Sequence, residues 1–203
     1  YKRQVLQSQA LPSQGVLSPG FLLKNKPHFE DYNVPLAQKF FNEALEDLHI
    51  KREDFPKITL DYYSNINYIK SLVQTLQQYW EQAFGIEVEL KEAEWMNYFP
   101  KLQQGNYQIG PMGWASFLAD PIYILQTFQS KSILTNMSFW ENPEYANLIE
   151  RSHQTPDSEE RNKLLLQAEA ILMEEMPVIP IVFFKQNFLQ NEKLRDVYSP
   201  YTY

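Results

Sequence analysis

Hydrophobic and polar residues alternate with the period of a β-strand in two stretches of the chain, which are separated by a long helical pattern. Residues 58–62 alternate in this way and predict a strand with one buried face. From Tyr68 to Phe84 hydrophobic residues recur at helical spacing, and Gly85 stands where a helix C-terminal glycine belongs. Residues 86–90 alternate again. The order strand, helix, strand predicts a βαβ unit with parallel strands and a right-handed crossover.

Helical spacing also marks two other segments of the first half of the chain. One amphipathic helix follows Asn33 up to Leu48. Another is predicted from Glu92 to Gln104, with Pro100 disturbing its middle. These helices flank the predicted βαβ unit on both sides.

The C-terminal half contains two predicted helices and one continuous hydrophobic run. Asn142 caps the first helix, and residues 155–175 form the second, with acidic residues in the first turn that suit the helix dipole. Residues 176–184, MPVIPIVFF, form a hydrophobic run of strand length that predicts a buried or edge strand. By contrast, residues 1–33 contain many turn-forming residues and predict an extended segment that needs a surface to lie against.

The stretch from Gly113 to Phe128 is the candidate binding segment. Its first half has neither helical nor strand periodicity and carries large aromatic residues, whereas Asp120 with the following proline predicts a helix start. A brief strand at residues 107–109 leads into this stretch. Because ligands of open α/β sheets bind beyond the carboxyl ends of strands, we expect a ligand near Trp114.

Composition narrows the possible function classes. The chain has 203 residues, of which 44% are hydrophobic, and this is enough for one domain or one large lobe with a real core. A net charge of -7 and scattered basic residues argue against nucleic-acid binding. An aromatic content of 15% favours a recognition role. No hydrophobic run approaches the ~20 residues needed to span a bilayer.

Thiol and metal chemistry find no support in the sequence. The chain has no cysteine, which excludes disulfides and thiolate ligands. Its three histidines, His28, His49 and His153, have no metal-binding spacing, and each is interpreted as a surface residue. We therefore predict neither a metal nor a cofactor.

The order of several motifs resembles one family of transport proteins. The motifs, in order, are FPKITLDYY, WEQAFGIEVEL, EWMNYFPKLQQGNYQI, GWASFLADP, NPEYANLIE and EERNKLLLQAEAILMEEMPVIPIVFF. Together they resemble the C-terminal half of the bacterial solute-binding proteins that serve oligopeptide, dipeptide and nickel ABC importers. The resemblance implies an α/β lobe of a type II periplasmic binding protein, with a mixed sheet flanked by helices.

The resemblance also implies a setting for the chain. Residues 1–33 would lead into a solute-binding lobe at residues 34–184, and residues 185–203 would return toward an N-terminal lobe of the same protein that this sequence lacks. The implied partners are a peptide or small solute and the membrane permease of the importer. The implied location is the periplasm or the extracytoplasmic membrane surface, with a lipid anchor on a segment absent from this sequence.

The resemblance also implies which positions of this sequence contact the ligand, and several of them carry residues that differ from those of the family. Trp95 is retained, whereas Phe117 replaces the Asp that holds a peptide amino terminus, and Pro111 replaces an Arg that binds a carboxylate. Ile69 and Phe184 replace a His and a Tyr. The complete set of predicted ligand-binding residues is Trp95, Trp114, Phe117, Phe184, Ile69, Pro111, Met112 and Asp120.

Several interpretations of these residues and of the whole chain stay open at this point. Trp114 either lines the cleft or packs in the core, and Phe117 either faces the cleft or turns inward. Asp120 is either a helix N-cap or a ligand contact. Two alternatives to a transport function are a non-transport interaction or regulatory domain of the same fold and a carbohydrate-active enzyme. No pairing of acidic residues supports the enzyme.

Overall fold

The computed structural model describes residues 10–21, 26–116, 118–184, 191, 193 and 194. These residues form two units, the first comprising residues 30–112 and the second comprising the described residues of 8–29 and 113–203. Each unit contains both helices and strands, which confirms the α/β class. The helices and strands, in chain order, are β1 (Leu11–Pro12), α1 (Val34–Asp47), β2 (Ile58–Tyr63), α2 (Asn67–Phe84), β3 (Val88–Ala93), α3 (Trp95–Gln103), α4 (Ile122–Leu125), α5 (Pro143–Gln154), α6 (Ser158–Glu175) and β4 (Val182–Phe183).

The predicted βαβ unit is the centre of the first unit. Strands β2 and β3 pair in parallel over their whole length, with Ile58 opposite Val88, and α2 connects them. Helix α2 ends at Gly85, whose φ of 66° is left-handed and whose N–H donates to the Glu81 carbonyl. The parallel pairing and the glycine cap are confirmed, and the handedness of the crossover stays a prediction.

Strand β2 is buried on both faces, so the prediction of one buried face was wrong. Leu60 is 1% exposed, and its neighbour Asp61, expected on the solvent side, is 3% exposed. The Asp61 carboxylate forms an ion pair with Lys101 of α3. A buried carboxylate is tolerated when it is paired, and here the partner comes from a helix forty residues further along the chain.

Two elements near the end of the first unit differ in extent from their predictions. The helix predicted from Glu92 begins three residues later, at Trp95, because β3 continues in register with β2 through Ala93. The brief strand predicted at residues 107–109 contributes one parallel bridge, between Ile109 and Leu60. This bridge still places the end of the first unit beside β2.

Helix α1 confirms the prediction of a helix that follows Asn33. The Asn33 side chain accepts a hydrogen bond from the Leu36 N–H at 3.0 Å, which satisfies one of the free donors of the first turn. Phe41 packs against Phe84 of α2 with ring centroids 5.0 Å apart. The helix therefore covers the C-terminal end of α2.

Helices α5 and α6 form most of the core of the second unit. The Asn142 cap is confirmed, since its side chain accepts hydrogen bonds from N–H groups of the first turn of α5. Helix α6 begins three residues later than predicted, at Ser158, and the Asp157 side chain caps it by accepting from the Glu160 N–H. The Tyr145 hydroxyl donates to the Leu125 carbonyl at 2.7 Å, which links α5 to α4. The core residues with no exposed surface are Leu125, Tyr145, Ile149, Leu165, Ala168 and Leu172.

The segment that precedes residue 30 packs onto this core, as expected of an extended segment. Strand β1 pairs antiparallel with β4, and Leu17 belongs to the buried core. The backbone N–H of Leu17 donates to Oε1 of Glu169, a fully buried residue of α6, at 2.8 Å. His28, interpreted from the sequence as a surface residue, is only 19% exposed and has Nε2 3.3 Å from the Glu169 carboxylate.

The hydrophobic run at residues 176–184 is mostly not a strand, and this part of the prediction was wrong. Met176 adopts a left-handed conformation with φ of 49° and ends α6. Pro177 and Pro180 have no N–H to donate to a sheet. Only Val182–Phe183 pairs with another strand, and both residues are half-buried.

Candidate ligand-binding site

Trp95 is the first residue of α3 and belongs to an aromatic cluster of the first unit. Its ring stacks on Phe99 with centroids 5.2 Å apart and planes at 28°. Tyr63 of β2 meets the same ring edge-on at 5.0 Å. These two contacts fix the orientation of a ring that is half-buried, so Trp95 anchors α3 and keeps part of its surface open to solvent.

The other predicted site residues of the first unit differ in how much surface they present. Ile69 is 5% exposed and lies in the core. Pro111 is partly buried, and its carbonyl accepts a hydrogen bond from the Tyr98 hydroxyl at 2.6 Å. Met112 is 40% exposed. Met112 therefore offers a ligand the most surface of these three, and the binding roles of all three stay predictions.

Trp114 borders a cavity within the second unit. The side chain is 42% exposed, so it is not packed in the core behind the loop. Helix α4, the turn that follows it and the loop beyond supply the other walls. The cavity has a volume of about 300 Å³ and is lined by Trp114, Tyr123, Gln126, Thr127, Gln129, Ile133 and Thr135.

A buried asparagine holds the loop that forms one wall of this cavity. Asn136 is 2% exposed, and its side-chain amide donates to the carbonyls of Ser130 and Trp140 at 3.1 and 2.8 Å. The Ser138 hydroxyl donates to the Asn136 side-chain oxygen at 2.7 Å. The Trp140 indole N–H in turn donates to Glu175 of α6 at 2.6 Å. The cavity wall is thus fixed to the core before any ligand arrives.

Asp120 has structural partners for both of its carboxylate oxygens. Oδ1 accepts from the Ile122 N–H at 3.0 Å, and the Arg161 guanidinium lies 2.9 and 3.0 Å from the two oxygens. The N-cap residue of α4 is Pro121, and Asp120 stands one residue before it, with its carboxylate on the first N–H of the helix. A ligand contact by Asp120 stays a prediction. Phe184 is 52% exposed, directly after β4. Phe117 lies outside the described residues, so its orientation is still a matter of prediction.

Sequence reasoning missed most of the cavity residues. Tyr123, Gln126 and Gln129 are spaced three apart, and this spacing places them on one face of a helical segment. That signal was present in the sequence and could have found them. Thr135 and Asn136 lie in a loop without periodicity, so no local pattern connects them to Trp114.

Tyr62 of β2 and Glu92 of β3 form a hydrogen-bonded polar pair across the parallel strands. The Tyr62 hydroxyl donates to the Glu92 carboxylate at 2.7 Å, and the Lys70 ammonium lies 3.4 Å from the same oxygen. Burial, aided by the bond to the Glu92 carboxylate, raises the pKa of Tyr62 to about 12. The hydrogen bond from Tyr62 lowers the pKa of Glu92.

The Tyr62→Phe variant should be less sensitive to alkaline pH than the unmodified protein. Because the pKa is raised in the folded state, the unfolded chain loses this proton first, near pH 10, and stability falls as pH rises toward about 12. Between about pH 9 and 12, we expect the free energy of unfolding of the variant to fall by about 1–2 kcal/mol less than that of the unmodified protein. This figure allows for solvent screening of the charge on the half-exposed Glu92. Urea unfolding at several pH values measures this difference.

The matched control for this experiment is Tyr32→Phe, which removes the hydroxyl of a tyrosine that is 74% exposed. The control should follow the unmodified protein across the same pH range. An identical pH dependence in both variants would show that the bond between Tyr62 and Glu92 does not govern alkaline stability.

Metal-binding clusters and membrane-spanning helices are both absent from the described residues. Among residues 10–21, 26–116 and 118–184 and the few described beyond them, no group of three His, Asp or Glu side chains is placed to hold a metal ion. None of the helices in the described part of the chain is long and hydrophobic enough to cross a membrane.

Comparison with known proteins identifies the protein family to which this chain belongs. The family model described as "Bacterial extracellular solute-binding proteins, family 5 Middle" matches residues 1–136. The match covers 136 of 203 residues. The chain therefore belongs to family 5 of the solute-binding proteins, in agreement with the resemblance seen in its motifs.

Relatives and solved structures agree with this assignment. The oligopeptide-binding protein OppA of Bacillus subtilis (strain 168) is 35% identical over 98% of this chain and 37% of its own length. The dipeptide-binding protein DppE of the same strain is 28% identical over 96% of this chain and 36% of its own length. The crystal structure of a periplasmic oligopeptide-binding protein of Borrelia burgdorferi, OppAIV, is 26% identical with a TM-score of 0.78, over 89% of this chain and 36% of that one. The chain thus spans little more than a third of these proteins.

Proposed function

We propose that this chain is one lobe of the solute-binding component of an ABC importer for peptides or a related small solute. The observation that carries the proposal is the 35% identity with an oligopeptide-binding protein across 98% of the chain. A second relative is named for dipeptides. These relatives are binding proteins rather than enzymes, which supports a role in which the solute is bound and released unchanged.

The solute that fits this chain is largely neutral or apolar. Where the family places an Asp for a peptide amino terminus and an Arg for a carboxylate, this chain has Phe117 and Pro111. A charged group that loses water on binding needs an opposite charge or several hydrogen bonds in return. A site without those two charged residues therefore gains little from the free ends of a peptide.

The setting of the lobe follows from the same family. In a two-lobed binding protein the solute is trapped when the lobes close around it by a hinge motion. We assign residues 34–184 to the lobe, and an N-terminal lobe of the same protein and a membrane permease as its partners. The location is extracytoplasmic, with a lipid anchor on a segment outside this sequence.

The solute carried by the intact protein tests this proposal. We expect native mass spectrometry of the purified protein to show a bound peptide or related small solute that lacks a strong net charge. Its mass should be unchanged after prolonged incubation, since no chemical step is proposed. Tryptophan fluorescence during a titration with the recovered solute provides the affinity, because Trp95 and Trp114 are both partly open to solvent.

A further inference from the structure

We propose that the cavity beside Trp114 is a pocket for an uncharged, hydrogen-bonding side chain of the solute, with a carboxamide (Asn or Gln) as its best occupant. The inference rests on the proposed function, because it specifies what a peptide-like solute presents at this lobe. It concerns residues of α4 and the following loop that the family resemblance does not single out. The argument depends on the size, the polarity and the rigidity of the cavity.

The volume of the cavity is enough for one side chain of the solute, with room left for water molecules. Its volume of about 300 Å³ lies at the lower end of the usual range for small-molecule sites, about 300–1,000 Å³. That space corresponds to roughly ten water molecules at about 30 Å³ each. The rings and methyl groups of Trp114 and Ile133 offer contact surface for the methylene groups of such a side chain.

The polar groups of the lining favour a neutral partner that both donates and accepts. The side chains of Gln126 and Gln129, and the hydroxyl of Tyr123, form no hydrogen bond to any residue that the structure describes. Each amide offers an N–H donor and a carbonyl acceptor, which is the complement of another amide. An aliphatic occupant would strip water from these groups without replacing its hydrogen bonds, and this is unfavourable.

Charged occupants have no opposite charge to meet in this cavity. No charged residue lines it. Of the charged residues in the surrounding segments, Asp120 is paired with Arg161, and Lys131 is paired with Glu141 at the exposed edge of the loop. A carboxylate or an ammonium group would therefore lose its hydration without an ion pair in return.

The cavity keeps its shape without a ligand. Asn136 ties the loop that carries Ile133 and Thr135 by three hydrogen bonds to its neighbours. A preformed wall lowers the entropic cost of ordering the loop on binding. Because the wall does not rearrange to fit different ligand side chains, they should bind with different affinities. A pocket built in this way is suited to selecting one class of side chain.

A competition among peptides tests the inference. The intact protein is equilibrated with a tetrapeptide library randomised at all four positions, and the bound fraction is identified by mass spectrometry. We expect Gln and Asn to be enriched fivefold or more over Glu, Asp and Leu at one position. Gln126→Leu should abolish that enrichment while the protein still binds peptides. Thr135→Val, a smaller change in the same wall, should weaken it.

The control is Gln167→Leu, which changes an exposed glutamine of α6 away from the cavity. It should leave the enrichment unchanged. Bound peptides without an amide preference, or an amide preference that survives Gln126→Leu, would overturn the inference and leave the proposed function standing. If no tetrapeptide is retained at all, the inference fails, whereas the proposed function fails only if native mass spectrometry of the intact protein also finds no bound solute.

Discussion

Replacing Glu169 by alanine should lower the free energy of unfolding by about 2–4 kcal/mol, because it leaves a buried N–H without its acceptor and opens a cavity in the core. Glu169 has no exposed surface. One carboxylate oxygen accepts the Leu17 N–H at 2.8 Å, and the other lies 3.3 Å from Nε2 of His28. The substitution leaves the buried Leu17 N–H without its acceptor, removes the carboxylate that faces His28, and loosens the segment before residue 30 from α6.

Urea unfolding followed by circular dichroism measures this loss of stability. Glu174→Ala is the matched control, because Glu174 is an exposed residue of the same helix, and its effect should stay within about 0.5 kcal/mol. Glu169→Gln should give an intermediate loss, since the amide oxygen still accepts from Leu17. Equal effects at Glu169 and Glu174 would mean that the buried carboxylate does not hold the N-terminal segment in place.

Trp114→Ala should weaken binding of the recovered solute by about tenfold to a hundredfold. Tryptophans at binding surfaces often contribute about 2 kcal/mol or more, and each 1.4 kcal/mol corresponds to a factor of about ten. Trp114 borders the cavity and is open to solvent over 42% of its surface, so its loss removes contact area without opening the core. Isothermal titration calorimetry of the intact protein measures the affinity directly.

Phe139→Ala is the control for this experiment. Phe139 is an aromatic residue of the same unit with a similar exposed fraction, 44%, and it does not line the cavity. Its replacement should leave the affinity within about twofold, because side chains outside a binding site contribute little to affinity. A loss at Phe139 as large as that at Trp114 would indicate a general effect of exposed aromatic residues.

The features that the sequence predicted well are those that depend on neighbouring residues. The helix start after Asn33, the cap at Asn142 and the left-handed glycine at Gly85 are decided within a few residues, and the structure confirms all three. The parallel pairing of β2 and β3 also follows from local order, because a strand, a helix and a strand with short connections allow few arrangements.

The predictions that were wrong depend on distant partners. The alternation of residues 58–62 placed Asp61 on the solvent side of the strand, and only the fold brings Lys101 beside it. Glu92 continues a helical pattern in the sequence, but pairing with β2 keeps it in a strand, where Tyr62 and Lys70 bind its carboxylate. Tertiary contacts override local preference at both positions.

In the candidate site, too, features set by neighbouring residues were predictable from the sequence, and features that depend on distant residues were not. The unusual stretch around Trp114 and the helix start at Asp120 were visible in the sequence, and both lie in the part of the chain that carries the cavity. The loop held by Asn136 has no periodicity, so nothing in the sequence connects it to Trp114. The binding roles of the eight residues chosen from the resemblance stay predictions.

We propose that this chain is a solute-binding lobe whose site does not rely on charged ligand ends. The most direct measurement is the identity of the solute released from the intact protein, combined with its affinity before and after its free ends are blocked by acetylation and amidation. We predict a peptide-like solute whose affinity changes less than about threefold on blocking, well below the factor of ten that corresponds to 1.4 kcal/mol. A solute whose affinity collapses on blocking, and whose binding is unaffected by Phe117→Ala, would contradict the account.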